Sequence, residues 1–511
     1  MILSAFFTLS ACTQDDDATL PENEEAPVDL ADLILSEDLT LNPSGYAPLS
    51  ALLSVRTDRP VRVDLLVHGE NGPFSDVTHR FEEVGDSLNI PIHGLYANFN
   101  NTLDVSFFNS DGDSLGTQSY TLQTGELNPN LPEVTIETAQ RERMAEGMTL
   151  VGYYGFSDAE RPRRSFIFDS YGDIRWYLDF ANHPDLNELA YGNGPELLAN
   201  GNLFFGGTDT EFIYEIDLFG NVIDSWQLPG YTFHHEVIEL PNGNFVACVD
   251  KVGASTIEDY IIEIDRQSKE IVTTWDLNES LDNTRRTLID DEKDWVHVNG
   301  IAYDESDETL VVSGRTQGLI KLTWDNEVVW IMGAHKGWGT TGSGTDLTQY
   351  LLQPLDAAGE IITDPAVLDG DSNHPEFEWN WYQHAPAVLP SGNIMLFDNG
   401  ENRNYTGAEL YSRAVEYEID AEAKTIQQTW QYGKELGGAT YSRIVSDVDY
   451  LASQDHVLFS PGATSFGGEV YGKSVEIDHE TMEVIFEATI KAEQTPASIT
   501  LHRTERFTLY P

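Results

Sequence analysis

The sequence predicts an all-β protein, with a six-bladed β-propeller preceded by a small N-terminal β-sandwich. Three observations support this fold class. A strand–turn–strand pattern recurs after Met148, tight-turn signals precede several of its copies, and alternating apolar and polar residues mark short strands near the N-terminus. A repeated unit of this kind cannot bury its apolar face alone, so neighbouring copies are expected to pack into a ring.

Each copy of the repeat has two apolar strands around a polar turn, and the second strand usually ends in an aromatic residue. The six copies lie at residues 166–176, 214–226, 262–275, 321–330, 417–430 and 475–486. Turns of the type Asn-Gly-Asn or Ser-Gly-Asn occur at 200–202, 242–244 and 391–393, between further strands. Each unit therefore has four strands, as a propeller blade does.

The interval between the fourth and fifth copies is longer than most of the others and has room for a seventh blade. Residues 335–377 within it are dominated by Gly, Thr, Asp and Pro, which favour turns and loops. We therefore interpret this segment as an insertion that reshapes the binding pocket, and we predict six blades.

The chain begins with an apolar run that ends in Leu-Ser-Ala-Cys at residues 9–12 and resembles a bacterial lipoprotein signal, although no basic residue precedes it. Residues 1–12 are predicted to be this signal peptide, with Cys12 lipidated. Residues 13–38 are acidic, contain no Lys or Arg, and are predicted to be a disordered tether. The protein is therefore expected in the bacterial cell envelope, on the periplasmic or surface side, anchored to the membrane through Cys12.

The rest of the chain divides into three predicted segments. Residues 39–125 form the N-terminal β-sandwich, because short alternating strands are separated by turn signals such as Asn71-Gly72. Residues 126–147 are predicted to be a linker. Residues 148–511 form the six-bladed propeller, which is the predicted catalytic domain.

The formal net charge of −58 excludes several classes of partner. Nucleic acids and anionic membrane surfaces both attract basic proteins, so neither is expected to bind this chain electrostatically. The sequence has two cysteines, Cys12 and Cys248, which excludes a disulfide framework. Cys248 lies in an apolar run and is expected to pack as a small buried side chain.

Three histidines occupy one register of the repeat. His235, His297 and His384 each lie six residues before the start of the turn that follows them. Equivalent positions on the inner strands of a propeller converge on its central axis, so these imidazoles are expected to point towards one another. The neighbouring His234 points the opposite way by strand alternation. Arg315 ends the strand after His297 and adds a planar, fixed cation suited to an oxyanion.

Two chemistries fit these residues. Three histidines can hold Zn²⁺ with one position open for a hydrolytic water. Alternatively, one histidine acts as a nucleophile while the others and Arg315 bind an anionic group. Arg315 favours the second chemistry, because its charge opposes metal binding. A third hypothesis is a non-catalytic surface propeller that binds a ligand. The sequence has no glycine-rich phosphate-binding loop, so a nucleotide donor is not expected.

At these residues the chain resembles the bacterial arylsulfate sulfotransferase family. The His-x-Asn motif at 297–299 followed by Ser-Gly-Arg at 313–315 is the most specific part of the resemblance. Further matching segments lie at 42–49, 93–96, 233–236, 383–386, 397–400 and 411–413. The resemblance implies a sulfuryl transfer from an aryl sulfate donor to a phenolic acceptor, without PAPS or another cofactor and without a metal. It also implies that a homodimer is possible.

Carried over residue by residue, the resemblance implies a role for each group. His384 is the nucleophile that becomes sulfated, and His235 is the acid and base for the phenol oxygens. His297, Asn299 and Arg315 hold the sulfuryl oxygens. Some members of the family have a disulfide near the site; this chain is not expected to form one, because Cys12 is predicted to be lipidated and Cys248 is then left without a partner.

Aromatic residues close to these positions in the sequence could stack on aryl groups. They are Trp295, Trp379, Trp381, Tyr382 and Tyr405. Ordinary packing between blades is an equally good explanation for each of them.

Overall fold

A computed structural model describes residues 30–156, 165–186, 195–207, 210–491 and 498–510. The predicted signal peptide with Cys12, and the tether up to residue 29, lie outside this part of the chain. The described residues are built mainly from β-strands, which confirms the all-β prediction. None of the helices among them is long and apolar enough to cross a membrane.

The N-terminal domain is built on one five-stranded sheet, and the apolar residues of one face of this sheet form its core. Its strands are β1 (Ile34–Leu41), β2 (Ala51–Val67), β3 (Val77–Ile92), β4 (Asn100–Phe108) and β5 (Ser114–Gln123). The first half of β2 pairs with β1 and the second half with β4, while β3 follows its other edge. Register shifts between Arg56 and Val63 interrupt the ladder there, and shifts of this kind bend a strand.

The predicted tether extends too far at its C-terminal end. Leu30–Leu33 form a short helix (α1), and β1 begins at Ile34, within the segment predicted to be disordered. Leu33 is fully buried in the core of the N-terminal domain. Burial of this apolar side chain and the pairing with β2 outweigh the acidic composition of the segment.

Six sheets of at least four strands form the propeller, as predicted from the repeats. The first three blades contain β7 (Met148–Phe156), β8 (Phe166–Phe168) and β9 (Ile174–Tyr177); β10 (Glu196–Leu197), β11 (Leu203–Gly206), β12 (Phe212–Ile216) and β13 (Val222–Gln227); and β14 (Tyr231–Glu239), β15 (Phe245–Lys251), β16 (Tyr260–Ile264) and β17 (Ile271–Asp276). A helical turn, α2 (Leu277–Ser280), then leads to the fourth blade.

The second half of the ring repeats this arrangement with additions. The fourth and fifth blades contain β18 (Val298–Asp304), β19 (Thr309–Gly314), β20 (Gly318–Leu322) and β21 (Val328–Met332); and β22 (Gln353–Leu355), β23 (His384–Val388), β24 (Ile394–Asp398), β25 (Arg413–Asp420) and β26 (Thr425–Tyr432). The sixth blade contains β27 (Asp447–Leu451), β28 (His456–Ser460), β29 (Thr464–Phe466), β30 (Glu469–Asp478) and β31 (Val484–Lys491). Each of the six predicted repeats forms the third and fourth strands of a blade's main ladder.

Both ends of the propeller chain close the ring. The last strand, β32 (Ser498–Phe507), pairs with β7 and completes the first blade. At the other end β6 (Glu133–Ala139) pairs with β31 in the last blade. The prediction that residues 126–147 are a linker is therefore wrong for 133–139, whose pairing partner lies about 350 residues away in sequence.

The aromatic residue that ends most repeats has a structural role between blades. Trp176 donates its indole N–H to the carbonyl of Leu218 in the next blade at 2.8 Å. The same contact joins Trp226 to Arg266, Trp275 to Thr323 and Trp430 to His479. Each of these tryptophans therefore fastens its blade to the turn of the following one, while its ring fills the space between them.

The insertion at 335–377 forms no blade of its own. It contains a 3₁₀ turn (Leu347–Tyr350), the strand β22 and a short helix, α3 (Pro365–Leu368). β22 runs parallel to β26 and extends the fifth blade at its outer edge. The adjoining Gly370 packs against Trp381 so closely that an added Cβ would lie 2.9 Å from the indole ring. The insertion therefore reaches the residues next to His384.

Candidate active site

The three histidines of the common register lie on, or directly before, the inner strands of adjacent blades, and each lies beside an irregularity. The ladders are interrupted between Phe233 and Val237, between Val298 and Gly300, and between His384 and Ala387. His235 and His297 have positive φ angles of 51° and 54°. Such bulges redirect a side chain out of the normal alternation of a strand, which is why they occur next to active sites.

His235 and His297 form a pair across two blades. Their Nε2 atoms are 3.2 Å apart, and their ring planes meet at 57°. The side chain of His235 is 20% exposed, whereas His234 is 2% exposed and points into the protein. The structure therefore brings His235, and not His234, to the other site histidine. At this separation the two nitrogens can share one proton.

Two carboxylates hold His297 from its other ring nitrogen. Asp294 lies 2.9 Å from Nδ1, and Glu258 contacts the same atom. Burial lowers the pKa of His297, but the hydrogen bonds that its Nδ1–H donates to Asp294 and Glu258 more than offset this and raise the pKa above its usual value. His297 is therefore the site histidine that most readily carries a positive charge.

The contacts of Glu258 with the two histidines also shift its own pKa and that of His235. Burial raises the pKa of Glu258, but its contacts with His235 and His297 lower it far below its usual range. Burial lowers the pKa of His235, and Glu258, 3.7 Å from its Nε2, offsets this only in part. Glu258 is thus ionised, and the proton of the pair resides mainly on His297.

His384 is held in one tautomer by Asn399. Its Nδ1 lies 2.7 Å from the Asn399 Oδ1 atom, and the Asn399 Nδ2 atom donates to the carbonyls of Ser442 and Val445, each at 2.9 Å. These two carbonyls can only accept, so the amide must present its oxygen to His384. Nδ1 therefore carries the proton, and the lone pair lies on Nε2.

The charge state of His384 agrees with this arrangement. Burial lowers the pKa of His384 well below its usual range, and the positive charge of Arg315 lowers it further against the opposing effect of Asn399. His384 is therefore a neutral imidazole at neutral pH. A neutral ring with a defined Nδ1–H has a nucleophilic Nε2 atom.

The segment from Phe397 to Gly400 supports this geometry. Asp398 accepts the backbone N–H of Trp381 at 2.8 Å and is bound by Arg403 and Arg413, while the Gly400 N–H donates to the carbonyl of Trp381 at 2.9 Å. Ser412 donates its hydroxyl to the carbonyl of Asn399 at 2.7 Å. The matching segments 397–400 and 411–413 are thus a scaffold that orients Asn399.

Arg315 is a half-buried cation without a carboxylate partner among the described residues. Its backbone N–H donates to the carbonyl of His297 at 3.0 Å, and its guanidinium carbon lies 5.3 Å from the centre of the Tyr382 ring. Its Nε atom is buried and forms no hydrogen bond within the described part of the chain. In a protein with a net charge of −58, a half-buried guanidinium without a carboxylate partner indicates a site for an anionic group.

Asn299 connects the two halves of the site. It accepts a hydrogen bond from Ser313 at 2.7 Å and donates one to the carbonyl of Gln383 at 2.9 Å, directly before His384. Asn299 therefore positions His384 relative to the strand that carries His297. Its second amide hydrogen is not used by these contacts, so its predicted role in binding the sulfuryl group stays a prediction.

The five aromatic residues divide into two groups. Trp295 and Trp379 are core residues whose indole N–H groups donate to Asp259 and to the carbonyl of Val367, each at 2.9 Å. Trp381, Tyr382 and Tyr405 instead line a cavity that also reaches Arg315. For the first two, packing between blades is the observed role.

A metal site formed by the three histidines does not match this geometry. Within the described residues, the only cluster with the spacing of metal ligands consists of His235, Glu258 and His297, without His384. Glu258 contacts Nδ1 of His297, whereas the nitrogen that faces His235 is Nε2. The same carboxylate lies 3.7 Å from Nε2 of His235, so Glu258 contacts both members of the histidine pair, and His384 takes no part in this cluster.

Three supporting residues were not identified from the sequence as site residues: Glu258, Asp294 and Asn399. Asp294 lies three positions before His297, but Glu258 lies in the loop between β15 and β16 and contacts the site only through the fold. Asn399 belongs to a segment that matched the family, and only its contact with His384 reveals its role.

Comparison with known proteins gives a consistent result. The arylsulfotransferase (ASST) family profile matches residues 133–499, and the Ig-like domain of arylsulfotransferases matches residues 39–125. The chain is 27% identical over 555 residues to arylsulfate sulfotransferase AssT of Escherichia coli O6:H1 (strain CFT073), covering 89% of this chain and 90% of that protein. It is 26% identical over 551 residues to AssT of Lelliottia amnigena, with the same coverage.

The first profile spans most of the propeller and contains every histidine of the site. The second spans the segment predicted to be the N-terminal β-sandwich. On the extent of these matches, this chain belongs to the arylsulfotransferase family.

Proposed function

We propose that this enzyme, an aryl sulfate sulfotransferase, works without PAPS and carries the sulfuryl group on His384. The observation that supports the proposal most directly is the pairing of a neutral His384, whose Nδ1–H is bound by Asn399, with the unpaired cation Arg315. The first supplies a nucleophile and the second attracts the anionic donor.

In the first half-reaction, Nε2 of His384 attacks the sulfur of an aryl sulfate and the bond between sulfur and the aryl oxygen breaks. The ring then carries a sulfuryl group on Nε2 and a proton on Nδ1. Asn399 Oδ1, 2.7 Å from Nδ1, stabilises the positive charge that develops on this ring. Arg315 and the charged form of His297 balance the negative charge of the sulfuryl oxygens.

The leaving phenolate takes a proton from the pair of His235 and His297. The donor oxygen replaces the contact between the two Nε2 atoms, which are 3.2 Å apart in the free enzyme. Because the pKa of a phenol is near 10, this acid needs to contribute a factor of only about 10² to 10⁴. Glu258 and Asp294 balance the positive charge of the pair while it holds this proton.

The second half-reaction reverses these steps with another phenol. His235 removes the acceptor proton, the phenolate oxygen attacks sulfur, and Nε2 of His384 leaves with its lone pair. The two phenols therefore use the site in turn, which gives ping-pong kinetics. An aryl sulfate is sufficient as the donor, so no nucleotide is needed.

The test is the intact mass of the protein after incubation with an aryl sulfate alone. We expect the gain of one sulfuryl group in the wild type and none in His384→Ala, and the adduct should disappear when a phenol is added. Release of phenol without any protein adduct, or an adduct that persists in His384→Ala, would show that another group is the nucleophile.

Zinc-dependent hydrolysis remains a second candidate, because His235, Glu258 and His297 have the spacing of metal ligands. Arg315 argues against it, and so does the position of His384 outside this cluster. Full activity after chelation and dialysis, with metal content verified by elemental analysis, would eliminate the hydrolase. Activity that disappears with the metal and returns with Zn²⁺ would favour it over histidine sulfation.

The lipid anchor, the location in the cell envelope and the homodimer are further proposals. Cys12 lies outside the described residues, and the proposal rests on the sequence of residues 9–12. Mass spectrometry of the N-terminal peptide from the native host should show a diacylglyceryl group on Cys12. Loss of the anchor in Cys12→Ala should release the protein from the membrane fraction, and analytical ultracentrifugation of that soluble form reports the oligomeric state.

A further inference from the structure

A cavity lies beside the proposed sulfuryl site, with a volume of about 280 Å³ that includes the solvent-filled space at its opening. Arg315 and Tyr382 belong to both, so the cavity begins where the site ends. The turn that follows β19, the segment 380–383 and residues from the loop before β18 form its walls. Its enclosed part has room for a group of about the size of a water molecule, and not for a second aromatic ring.

Four polar atoms of the cavity wall are buried and form no hydrogen bond within the described residues. They are Arg315 Nε, Trp381 Nε1, Asn380 Oδ1 and Thr287 Oγ1. Trp381 and Asn380 are 2% and 5% exposed. An unsatisfied buried polar group costs about 1–3 kcal/mol, so their concentration around one cavity indicates that it takes a polar group.

The orientation of Asn380 is fixed by its neighbours. Its Nδ2 atom donates to Gln383 Oε1 at 2.7 Å, and Gln383 Nε2 donates in turn to the Ser313 hydroxyl at 3.0 Å and the Gly314 carbonyl at 3.1 Å. Gln383 must therefore present its oxygen to Asn380. This leaves Asn380 Oδ1 as an unpaired acceptor and Trp381 Nε1 as an unpaired donor among the residues that line the cavity.

A hydroxyl group matches this wall better than other small groups. It can donate to Asn380 Oδ1 and accept from Trp381 Nε1, whereas a carboxylate or a sulfate has no proton to donate. An ammonium group would be opposed by Arg315 and by Arg285, a buried cavity-wall cation that bonds to two carbonyls and to Gln317. A methyl ether accepts a hydrogen bond but cannot donate one, and it is larger.

We propose that this cavity binds a second hydroxyl group of a polyphenolic substrate whose reacting oxygen lies at His384. The hydroxyl donates to Asn380 Oδ1 and accepts from Trp381 Nε1, with Thr287 Oγ1 as a further partner. The substrate ring lies between the two ends, beside Tyr382. This inference rests on the proposed function and narrows its acceptor class from phenols in general to phenols with a second hydroxyl.

The experiment compares the three dihydroxybenzenes with their monomethyl ethers as acceptors. Each pair differs by one methyl group, and the reacting phenol has a similar pKa in both members. After correction for the two equivalent hydroxyls, we expect at least one dihydroxybenzene to exceed its ether about 10-fold or more in kcat/KM. In Trp381→Phe, which removes the indole N–H together with part of the ring, and in Thr287→Val, which keeps the shape of the side chain and removes the hydroxyl, this preference should fall to about threefold or less.

Unsubstituted phenol is the control acceptor, and Thr287→Val should use it within about threefold of the wild type. The inference is overturned if phenol is turned over and each ether has the same kcat/KM as its dihydroxybenzene. The cavity then holds water only. Calorimetric binding of the same compounds to His384→Ala repeats the comparison without turnover. A failure of sulfuryl transfer is thereby distinguished from a failure of hydroxyl recognition.

Discussion

The role of Asn399 provides a direct test of how this site makes a nucleophile. Asn399→Ala removes the acceptor 2.7 Å from Nδ1 of His384 and frees the ring to adopt the other tautomer, in which Nε2 carries the proton and cannot attack. The carbonyl of Tyr382, 3.2 Å from Nδ1, remains as a weaker acceptor. The productive tautomer is therefore reduced in population and not abolished.

The size of the effect follows from this residual contact. Loss of one short buried hydrogen bond, partly replaced by a longer one, should cost the sulfation step about 1–3 kcal/mol, or about 5- to 150-fold in rate. Stability should fall by a similar amount, because the Val445 carbonyl loses its donor. The Ser442 carbonyl retains a contact with the Ser412 hydroxyl at 3.3 Å and contributes less.

The assay is the rate of appearance of the protein adduct in a single turnover with an aryl sulfate, followed by intact mass. Asn393→Ala is the matched control: the same substitution in the turn between β23 and β24, without contact to His384. Imidazole ¹⁵N shifts report the tautomer of His384 directly. A folded Asn399→Ala that is sulfated at the wild-type rate, or a wild type with the proton on Nε2, would refute this account.

Three further predictions concern charge and packing. Glu258→Gln should lower the pKa of His297. Because His297 is charged only below its pKa, the decline of activity with rising pH should begin at a lower pH than in the wild type. An unchanged ratio of kcat/KM at pH 8 to kcat/KM at pH 6 would contradict this. Arg315→Lys keeps the charge but loses the planar fork, and kcat/KM for the aryl sulfate should fall about 10- to 100-fold, with a normal melting curve. Trp176→Phe should lower the free energy of unfolding by about 1–3 kcal/mol in denaturant titrations and leave kcat unchanged, because it removes the contact with Leu218 between blades.

The propeller was predictable from sequence because its repeat is local. The polar turn recurs in each copy and a terminal tryptophan in five of the six, and four of these tryptophans donate a hydrogen bond to the next blade. The regular register also predicted that His235, His297 and His384 lie at the inner strands of three blades; His235 and His384 are on these strands and His297 directly precedes one. A repeat within one stretch of sequence can be recognised without knowing which residues it contacts in the folded chain.

The ends of the domains were predicted less well for a physical reason. Composition suggested a tether up to residue 38 and a linker at 126–147, but β1 and β6 are ordered within them. β6 has an alternating pattern, yet its partner β31 lies at the other end of the chain. Whether a short polar strand is ordered depends on an available sheet edge, and only the closed ring supplies that edge.

The chemistry of the site divides in the same way. The sequence by itself determined which histidines share a register and that Arg315 follows them. Only the tertiary structure decided their charge states, because these depend on Asn399, Asp294 and Glu258, and Glu258 reaches the site from the loop between β15 and β16. A pKa or a tautomer is set by burial and by neighbours a few ångströms away, and those distances exist only in the folded chain.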